Sequence, residues 1–468
     1  MSAGGSDRRG RGRPGTDRRP GGRRVTGGGR ATGGGRDGTP SARSVALAVI
    51  RRVVERGGFS NLALRSALDR SDLSSADRAF AAELAYGTLR RLPALDREIA
   101  LRLDRPMDRT SPAALAVLRL GVYQLRHTRI PRHAAVSETV ALADARERGL
   151  VNAVLRRIAA EPAIALTGTS DAEVSVRTGL VEWAVRELRR LLGPEAETAA
   201  AALAEPAPLT LRTNTCRTSV EELRAALERA GVPSVPGTVH PESLVLSGGS
   251  PSELPGFDLG WFAVQDQASS FAVSAIGARP GERVADVCAG PGGKAAHLAC
   301  LVSPGGLAVA ADVSPTRAAL VRAQVDRLGV RAHVLVQDAR RPALRGGFAR
   351  VLVDAPCSGL GAARRRPELL WRPRERDLPA LGRLQLEIAA AAADLLAHGG
   401  RLVYSVCTFP RAETDDVCDA LLRVRPDLVP EAIEGPDGRR DRVRLWPHRH
   451  GTDAMFVAAF RRPRVPHG

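Results

Sequence analysis

Two of the six cysteines in this chain stand where a predicted strand passes into a loop. Cys357 lies in the run Asp354-Ala-Pro-Cys-Ser-Gly-Leu-Gly361, and Cys407 lies in the run Tyr404-Ser-Val-Cys-Thr-Phe-Pro410. A cysteine thiolate is a nucleophile, and side chains at such strand ends face the ligand crevice of an α/β sheet. We therefore expect these two thiols to face a bound ligand. A free cysteine elsewhere is usually a small buried apolar residue, and this is our interpretation of Cys216, Cys300 and Cys418.

A second group of candidate residues lies in the run Val284-Ala-Asp-Val-Cys-Ala-Gly-Pro-Gly-Gly-Lys294. Its apolar residues predict a strand that ends at Val287, followed by a glycine-rich turn and a helix. Such a turn brings backbone N–H groups against a nucleotide-like ligand, and glycine permits the close approach. The spacing matches neither the dinucleotide fingerprint nor the P-loop. We predict a cofactor loop formed by Cys288, Ala289, Gly290, Pro291, Gly292, Gly293 and Lys294.

Lys294 is the single lysine among the 69 basic residues counted as lysine or arginine. The two side chains are not interchangeable, because lysine carries a compact ammonium and arginine a broad planar guanidinium. A chain that uses arginine everywhere else is expected to need the compact charge at this position. Survival of this lysine by chance stays an alternative.

Acidic residues follow three predicted strands in succession: Asp312, Asp338 and Asp354. Ligands of such sheets bind off the carboxyl ends of the strands, so these carboxylates are expected on one edge. Asp312 comes about twenty residues after the glycine turn, the spacing at which an acid accepts hydrogen bonds from ribose hydroxyls. Each one alone is equally typical of a helix cap or a solvated turn, but three in succession favour a cofactor edge.

The elements that position these residues begin at Trp261, where predicted strands and helices alternate. Alternation at this spacing is typical of a doubly wound, mostly parallel α/β sheet. Helices are expected to begin near Gly293, Ser314, Arg340 (weakly), Arg374 and Arg411. The strand candidates are 283–287, 307–312, 333–337, 350–354, 401–406 and 455–460.

Two further regions precede this sheet. Residues 41–161 show apolar residues at helical spacing, with Ser111 and Pro112 as an N-cap and first helical residue, and predict an all-α domain. Residues 162–260 predict a small connecting α/β subdomain, with strands at 209–213 and 243–246 and a helix opened by a capping box of Thr218 and Glu221. Arginines of the helical domain are either a phosphate-binding surface or a solvated face: Arg90, Arg91, Arg126, Arg129, Arg132, Arg156 and Arg157.

The composition of the 468 residues is that of a globular chain of two or three domains, with 44% hydrophobic and 26% charged residues. A net charge of +18 indicates a polyanionic partner, most simply nucleic acid. Residues 1–40 contain 14 glycines and 10 arginines and predict a disordered arm, either RNA-binding or merely solubilising.

The compartment is expected to be a reducing cytoplasm. The cysteines contain no CxxC pair, so the sequence predicts free thiols and neither a zinc site nor a disulfide framework. No apolar run is long enough to span a membrane, and the N-terminus lacks the apolar core of a signal peptide. We therefore expect no membrane partner and no metal, while the oligomeric state stays open.

The motifs together resemble the S-adenosylmethionine-dependent RNA cytosine-5 methyltransferase family. The resemblance rests on DVCAGPGGK, the acid Asp312, the QDAR run around Asp338, DAPCSGLG, YSVCTFPRAE and, before the cofactor loop, VQDQASSFA at 264–272. The run from Gly149 to Arg157 resembles the NusB-like RNA-binding domain, which is fused to the Sun/Fmu (RsmB) branch acting on small-subunit ribosomal RNA. One departure is Val406, where the family usually has a small hydroxyl residue. The resemblance implies a class I, Rossmann-like methyltransferase domain over 261–468.

The resemblance also implies roles for the candidate residues. Cys407 would be the nucleophile that adds to carbon 6 of cytosine, and Cys357 would serve in proton removal at carbon 5 and release of the adduct. Asp354 would lie against the base and the methionine end of S-adenosylmethionine. The cofactor loop with Lys294 would hold the methionine part, Asp312 the ribose and Asp338 the adenine amino group.

The target base must leave its stack to reach a thiol, so single-stranded or loop RNA is the expected substrate. Candidates for contacts with the flanking phosphates are Arg364, Arg365, Arg366, Trp371 and Arg372, with a solvated basic loop as the alternative. We expect the protein to methylate a cytosine of small-subunit ribosomal RNA and so to form 5-methylcytosine. Transfer RNA or large-subunit RNA as the substrate, and a non-catalytic RNA-binding assembly factor, are the alternatives. The identity of the modified cytosine, and whether naked RNA or a ribosomal particle is the substrate, stay open.

Overall fold

The computed structural model describes residues 40–464. The predicted disordered arm therefore lies outside the described residues, apart from Pro40. Within residues 40–464 no helix is both long enough and apolar enough to cross a membrane.

The first region is entirely helical, as its apolar spacing predicts. Ser111 caps the fifth helix by accepting a hydrogen bond from the Ala114 N–H, and Pro112 is its first residue, which confirms that predicted helix start. Leu118, Leu155 and Ile50 lie in one buried core shared by these helices. The helices are α1 Ala42–Arg56, α2 Ser60–Leu68, α3 Ser75–Arg90, α4 Leu92–Ala100, α5 Pro112–His127, α6 Arg132–Val140 and α7 Arg148–Ala160.

The connecting region contains three helices and then a small antiparallel sheet in the order β2-β3-β1-β4. The predicted capping box is one residue out of place, because the cap of α11 is Ser219, whose hydroxyl accepts from the Glu222 N–H. Thr218 instead donates to the Glu222 carboxylate at 2.8 Å. The elements are α8 Asp171–Thr178, α9 Glu182–Leu192, α10 Ala196–Ala204, β1 Leu209–Thr213, α11 Val220–Arg229, β2 Ser234–Pro236, β3 Ser243–Leu246 and β4 Phe262–Val264.

The third region is built around an eight-stranded sheet in the order β10-β14-β9-β8-β5-β6-β7, with β13 paired to β14. Its helices and strands are α12 Gln267–Ser274, β5 Arg283–Asp286, α13 Gly293–Leu301, β6 Leu307–Asp312, α14 Pro315–Leu328, β7 His333–Val336, β8 Phe348–Asp354, α15 Leu378–Asp394, β9 Leu396–Val406, α16 Asp415–Val424, β10 Val429–Glu431, β11 Ile433–Gly435, β12 Gly438–Arg440, β13 Arg442–Leu445, α17 Pro447–His450 and β14 Met455–Arg461. The short strands β11 and β12 form a separate hairpin.

Strands β5 to β9 are parallel to one another, while β10, β13 and β14 are antiparallel additions at one edge. The chain runs from β5 outward through β6 to β7 and then returns to β8 on the other side of β5. Helices cover both faces, with α15 and α16 packed on one and α12 and α13 on the other. The predicted doubly wound, mostly parallel sheet is confirmed, and its topological switch point lies beside β5.

Three predicted helix starts differ from the structure. No helix follows Arg340, which instead lies in a turn and binds Asp338. The helices expected near Arg374 and Arg411 begin later, after single 3₁₀ turns at Glu375–Asp377 and Arg411–Glu413. The second delay has a backbone cause, because Thr414, with φ of −123° and ψ of −96°, is not helical and separates the 3₁₀ turn from α16.

The connecting helices share a core with the loops that follow the two candidate cysteines. Val185 and Leu188 of α9 lie in one buried cluster with Leu360 and Phe409. Leu360 comes three residues after Cys357, and Phe409 comes two residues after Cys407. The position of both cysteine loops is therefore supported from outside the sheet.

Candidate active site

The glycine-rich turn follows β5, as predicted, and its glycines are required by neighbouring parts of the protein. Gly292 has φ of 113°, and a Cβ there would lie 2.8 Å from the Val321 Cα of α14. A Cβ on Gly290 would lie 2.6 Å from both the Asp312 carboxylate and the Arg317 guanidinium. These glycines therefore permit close packing of the turn against β6 and α14, in addition to any approach of a ligand.

Asp312 is buried at the end of β6 and holds the glycine turn. Its carboxylate accepts hydrogen bonds from the Gly290 N–H and the Ser314 N–H, both at 3.0 Å. Arg317 lies 3.2 Å from the same carboxylate and also donates to the Gly290 carbonyl. Asp312 therefore lies where the ribose acid was expected, and part of its hydrogen-bonding capacity is used by the protein.

Asp338 lies two residues after the outer parallel strand β7 and is not among the residues that line the cavity described below. Its side chain is 36% exposed and is bound by the Arg340 guanidinium at 2.6 Å. These hydrogen bonds lower the pKa of Asp338 to about 2. It is an exposed anion at the outer end of the cofactor edge.

Asp354 connects the cofactor loop to the strand that carries Cys407. One carboxylate oxygen accepts a hydrogen bond from Lys294 Nζ at 2.9 Å, and the other accepts from the Ser405 hydroxyl at 2.9 Å. Lys294 Nζ also lies 3.3 Å from the Ser269 hydroxyl of α12. A small ammonium between a helix and a strand end suits lysine, since a guanidinium at the same place would need more room.

Asp286 is a site residue that the sequence reasoning missed. It is the last residue of β5 and is 1% exposed, and one of its oxygens has no hydrogen-bond partner within residues 40–464. Burial and the neighbouring Asp354 raise its pKa to about 7. An acidic residue within the apolar run Val284–Val287 was the signal in the sequence, because strand interiors rarely contain one.

A cavity of about 200 Å³ opens between the glycine turn, α12 and the end of β8. Asp286, Asp354 and Lys294 line it, together with Gly290 and Asp266. S-adenosylmethionine carries an ammonium and a carboxylate at its methionine end. The unpartnered Asp286 oxygen and Asp354 suit the ammonium, and Lys294 with the turn suits the carboxylate. The residues present therefore fit this cofactor.

The two candidate cysteines meet at the ends of adjacent parallel strands. Cys357 Sγ and Cys407 Sγ are 3.5 Å apart, and both side chains are partly buried. The hydrogen bond from Cys357 lowers the pKa of Cys407, and Lys294 and Arg366 act in the same direction. The same hydrogen bond raises the pKa of Cys357 well above its ordinary value. The two sulfur atoms therefore form one coupled pair, in which the lowered pKa of Cys407 favours the thiolate on that residue.

Four of the five residues predicted to contact RNA phosphates after Cys357 form hydrogen bonds or ion pairs within the protein. Arg364 donates to the Gly451 and Thr452 carbonyls, and Arg365 binds Asp266 and Asp453. The Trp371 indole donates to the Leu89 carbonyl of α3, and Arg372 donates to the Val53 and Gly58 carbonyls. Protein oxygens therefore already use donors of all four side chains, and their contacts with RNA phosphates stay a prediction. Arg366 has no side-chain hydrogen bond to any residue of the described part.

Most arginines of the predicted surface of the helical domain also form hydrogen bonds with protein oxygens. Arg90 is buried and donates to the Arg364 carbonyl, while Arg126 binds Glu98 and Arg157 binds Asp104. Arg132 and Arg156 donate to neighbouring protein oxygens. Within residues 40–464, only Arg91 and Arg129 of the predicted set make no side-chain hydrogen bond.

The expectation of six free thiols is wrong for one pair. Cys216 and Cys300 form a disulfide with their Cα atoms 5.8 Å apart, within the usual range. They lie 84 residues apart, in the turn after β1 and at the end of α13, so no local pattern indicates their contact. Cys288, Cys357, Cys407 and Cys418 are free, and Cys418 is buried as expected.

Away from this cavity, His240, Glu242 and His297 bring metal-ligand atoms within 4.8 Å of one another. Cysteine spacing could not predict this cluster. Arg212 is buried close by, and its charge acts on both Glu242 and His297.

Three protein-family profiles match the chain in the order of its regions. The NusB family matches residues 40–160. The ferredoxin-like domain of RsmF/B-like methyltransferases matches residues 181–253. The profile described as 16S rRNA methyltransferase RsmB/F matches residues 273–461 and contains the glycine turn and both cysteine loops.

Whole-chain relatives agree with these profiles. The putative methyltransferase Rv1407 of Mycobacterium tuberculosis is 39% identical over 462 residues, covering 90% of this chain and 96% of the relative. The probable ribosomal RNA small subunit methyltransferase B of Bacillus subtilis is 32% identical, covering 90% and 99%.

A solved structure supports the same relationship. The crystal structure of PH0851 superimposes with a TM-score of 0.77 at 26% identity, covering 90% of this chain and 98% of that one. The resemblance noted in the sequence is therefore confirmed across the three regions. This chain belongs to the RsmB/F family of S-adenosylmethionine-dependent rRNA methyltransferases, with a NusB-family helical domain at its N-terminal side.

Proposed function

We propose that this enzyme transfers a methyl group from S-adenosylmethionine to carbon 5 of a cytosine in small-subunit ribosomal RNA. Cys407 is the nucleophile of this reaction, and Cys357 and Asp354 assist it. A bacterial enzyme with this substrate works in the cytoplasm. The printed names of relatives such as the Bacillus subtilis protein support the choice of ribosomal RNA.

The observation that carries the proposal is the pair of thiols beside the cofactor cavity. Cys357 Sγ and Cys407 Sγ are 3.5 Å apart, and Asp354 of the cavity lining is bound to Ser405, two residues before Cys407. Methyl transfer to an oxygen or nitrogen atom does not require a nucleophilic thiol. Carbon 5 of cytosine does require one, because it is too weakly nucleophilic to take a methyl group directly.

The first step is attack by the Cys407 thiolate on carbon 6 of the base. A carbon–sulfur bond forms, and the electron pair of the 5,6 double bond moves toward carbon 5 and the N3 side of the ring. The lowered pKa of Cys407 makes the thiolate available, with Cys357 as its hydrogen-bond donor. S-adenosylmethionine, when bound, supplies the methyl group that carbon 5 then receives.

The second step regenerates the aromatic base. Once Cys407 is bonded to carbon 6, Cys357 releases its own proton to solvent, and its thiolate then takes the proton from carbon 5 as the carbon–sulfur bond to Cys407 breaks. The electron pair of that bond returns to Cys407 as the thiolate. Asp354 lies between Lys294 and Ser405 at 2.9 Å from each, so its carboxylate is fixed in orientation. In its protonated form, Asp354 beside the ring gives its proton to N3 as negative charge develops there, and takes it back when the aromatic base is regenerated.

The helical domain contributes RNA affinity in this proposal. The NusB-family match over residues 40–160 supports that assignment. Arg91 and Arg129 remain available for phosphate, while Arg366 is the available guanidinium near the thiols. The domain limits 41–161, 162–260 and 261–468 are part of the same proposal.

Covalent capture tests the chemistry directly. Purified protein is incubated with S-adenosylmethionine and separate ribosomal and transfer RNAs that contain 5-azacytosine, and captured RNA is sequenced. We expect a stable protein–RNA band on a denaturing gel with small-subunit RNA, and a captured peptide that contains Cys407. Methylation at a base nitrogen, or capture through another residue, would overturn the proposal. Capture of transfer RNA alone would change the substrate and leave the chemistry in place.

A further inference from the structure

Glu413 is a buried carboxylate in the loop after Cys407. It is 0% exposed and ends the 3₁₀ turn Arg411–Glu413. One oxygen accepts hydrogen bonds from the Ser358 N–H at 2.8 Å and the Gln385 amide at 2.9 Å. The other accepts from the Ser358 hydroxyl. This carboxylate of the Cys407 loop therefore binds the residue that directly follows Cys357.

The neighbours of the two cysteines are also bound to each other. The Ser358 and Thr408 hydroxyl oxygens are 2.7 Å apart, and each belongs to the residue that follows a cysteine. The Gly361 N–H donates to the Cys407 carbonyl at 3.0 Å. A Cβ on Gly361 would lie within contact distance of that backbone, so the approach of the two loops is close.

A second layer fixes Glu413 from the other side. The Gln385 amide of α15 donates both to Glu413 and to the Pro356 carbonyl, at 2.9 Å each. The Tyr404 hydroxyl of β9 donates to the Glu413 carbonyl at 2.7 Å. The residue on each side of Cys357 is therefore connected to the same carboxylate, directly or through Gln385.

The charge of Glu413 has no counter-ion. Within residues 40–464 it makes no ion pair, and burial raises its pKa while its hydrogen bonds with Ser358, Gln385 and Thr408 oppose that rise. A buried carboxylate without a cation is costly unless its hydrogen bonds are all made. Here every donor comes from the two cysteine loops or from the helix behind them.

We propose that Glu413 is a positioning residue that joins the two cysteine loops and thereby sets the contact between Cys357 Sγ and Cys407 Sγ. It touches neither substrate nor cofactor. Its effect on catalysis rests on the proposed function, whereas its effect on the distance between the sulfur atoms does not.

The distance between the sulfur atoms is measured by thiol oxidation. Diamide takes two electrons and two protons from a pair of adjacent thiols and becomes the hydrazine, leaving a disulfide. Peptide mapping by mass spectrometry then gives the rate at which Cys357 and Cys407 become linked, separately from the Cys216–Cys300 disulfide. The full-length wild-type protein is expected to link them readily, because the sulfur atoms are 3.5 Å apart.

Three variants and one control are compared. Glu413→Ala is expected to slow linking at least about tenfold and to lower kcat about a hundredfold, with the KM for S-adenosylmethionine unchanged, since displacement by about 1 Å has this effect on rates. Glu413→Gln is expected to keep linking within about threefold, because its amide reproduces both contacts with Ser358. Ser358→Ala removes one partner while Glu413 stays, and an intermediate rate is expected. Glu431→Gln is the control, since Glu431 is also a partly buried carboxylate and pairs with Arg401 in the middle of β9, away from the two cysteines.

Linking at the wild-type rate in both Glu413→Ala and Ser358→Ala would overturn the positioning role. Equal slowing in the Glu431→Gln control would also overturn it, because the effect would then be general destabilisation. The two proposals can also fail separately. If Glu413→Ala slows linking but the wild-type protein methylates no cytosine, Glu413 still sets the contact between the sulfur atoms, and only the proposed reaction is overturned.

Discussion

The two halves of the sheet edge are held together in different ways. In the cofactor half, Asp312 binds Gly290 and Ser314, which are 22 and 2 residues away in the sequence. In the cysteine half, Cys357 meets Cys407 across 50 residues, and Ser358 meets Glu413 across 55. The cofactor half is therefore a mostly local construction, whereas the cysteine half exists only when β8 and β9 are paired.

Beyond the pairing of β5 with β8, a side-chain contact joins the halves. Lys294 of the cofactor loop binds Asp354 at the end of β8, across 60 residues. Asp354 is in turn level with Ser405 in the parallel register of β8 and β9. A change in the cysteine half is therefore expected to leave cofactor binding intact, and a change at Lys294 is expected to affect both halves.

The largest expected effect belongs to the cysteine half. Cys407→Ala should lower methyl transfer by about 10⁴-fold or more, because no other group supplies the attack on carbon 6. Calorimetry should give an unchanged Kd for S-adenosylmethionine, since Cys407 lies outside the cofactor loop. Full turnover by the variant would remove Cys407 from the nucleophile role.

Cys357→Ala should separate formation of the adduct from its release. We expect turnover to fall about a hundredfold, the range of a single proton-transfer group, while protein–RNA adduct accumulates. A denaturing gel with radiolabelled RNA measures the adduct, and Cys418→Ala is the matched control for loss of a partly or fully buried thiol. A variant that turns over slowly without any shifted band would contradict the release role.

Lys294→Arg tests the connection between the halves. We expect the Kd for S-adenosylmethionine to rise about tenfold and kcat to fall by a similar factor, because the guanidinium is broader than the ammonium at this site. Arg317→Lys, which changes a residue beside Asp312 only, should affect the Kd and leave kcat nearly unchanged. Wild-type behaviour of Lys294→Arg would mean that the single lysine of the chain is a chance survival.

The pH dependence of thiol alkylation sharpens the comparison within the cysteine half. The hydrogen bond from Cys357 lowers the pKa of Cys407, so the reactive thiolate persists to lower pH than for an ordinary cysteine. Removing that donor in Cys357→Ala should raise the pKa of Cys407 and move the acidic limb of its alkylation rate to higher pH. Iodoacetamide labelling from pH 6 to 10, followed by peptide mapping, measures the shift. A limb that moves to lower pH would contradict the assignment.

The smallest effect is expected at Arg372. Its guanidinium donates to the Val53 and Gly58 carbonyls, so Arg372→Ala should lower the free energy of unfolding by about 2 kcal/mol. Because Arg372 donates to these carbonyls and not to RNA phosphates, its loss should leave the slope of RNA affinity against salt concentration unchanged. Arg366→Ala is the comparison, and there the slope should fall by about one unit. Denaturant unfolding and binding titrations at several salt concentrations distinguish the two.

Sequence patterns predicted the sheet and the cofactor loop well. The five parallel strands, β5 to β9, form at apolar runs of the sequence. The glycine turn and the helix after β5 also lie where the spacing predicted them. The helix expected at Arg340 did not form, since that residue folds back onto Asp338. Local propensity contained no information on that contact.

Roles of polar residues were harder to predict. The sequence predicted RNA contacts for Arg364, Arg365 and Arg372, but each of these side chains donates to oxygens of distant segments of the protein. The same holds for Cys216 and Cys300, which are joined across 84 residues. A sequence gives the type of a donor or thiol, whereas its acceptor or partner depends on how the regions pack.

The residue order by itself determined the class of fold, the glycine-rich turn and the two candidate thiols, because each depends on short-range spacing of apolar residues, glycines and cysteines. Tertiary structure alone decided that Cys357 and Cys407 are in contact, that Lys294 binds Asp354 and that Glu413 joins the cysteine loops. The physical reason is that a parallel strand pair brings together side chains about fifty residues apart, and only the register of β8 with β9 determines which ones meet.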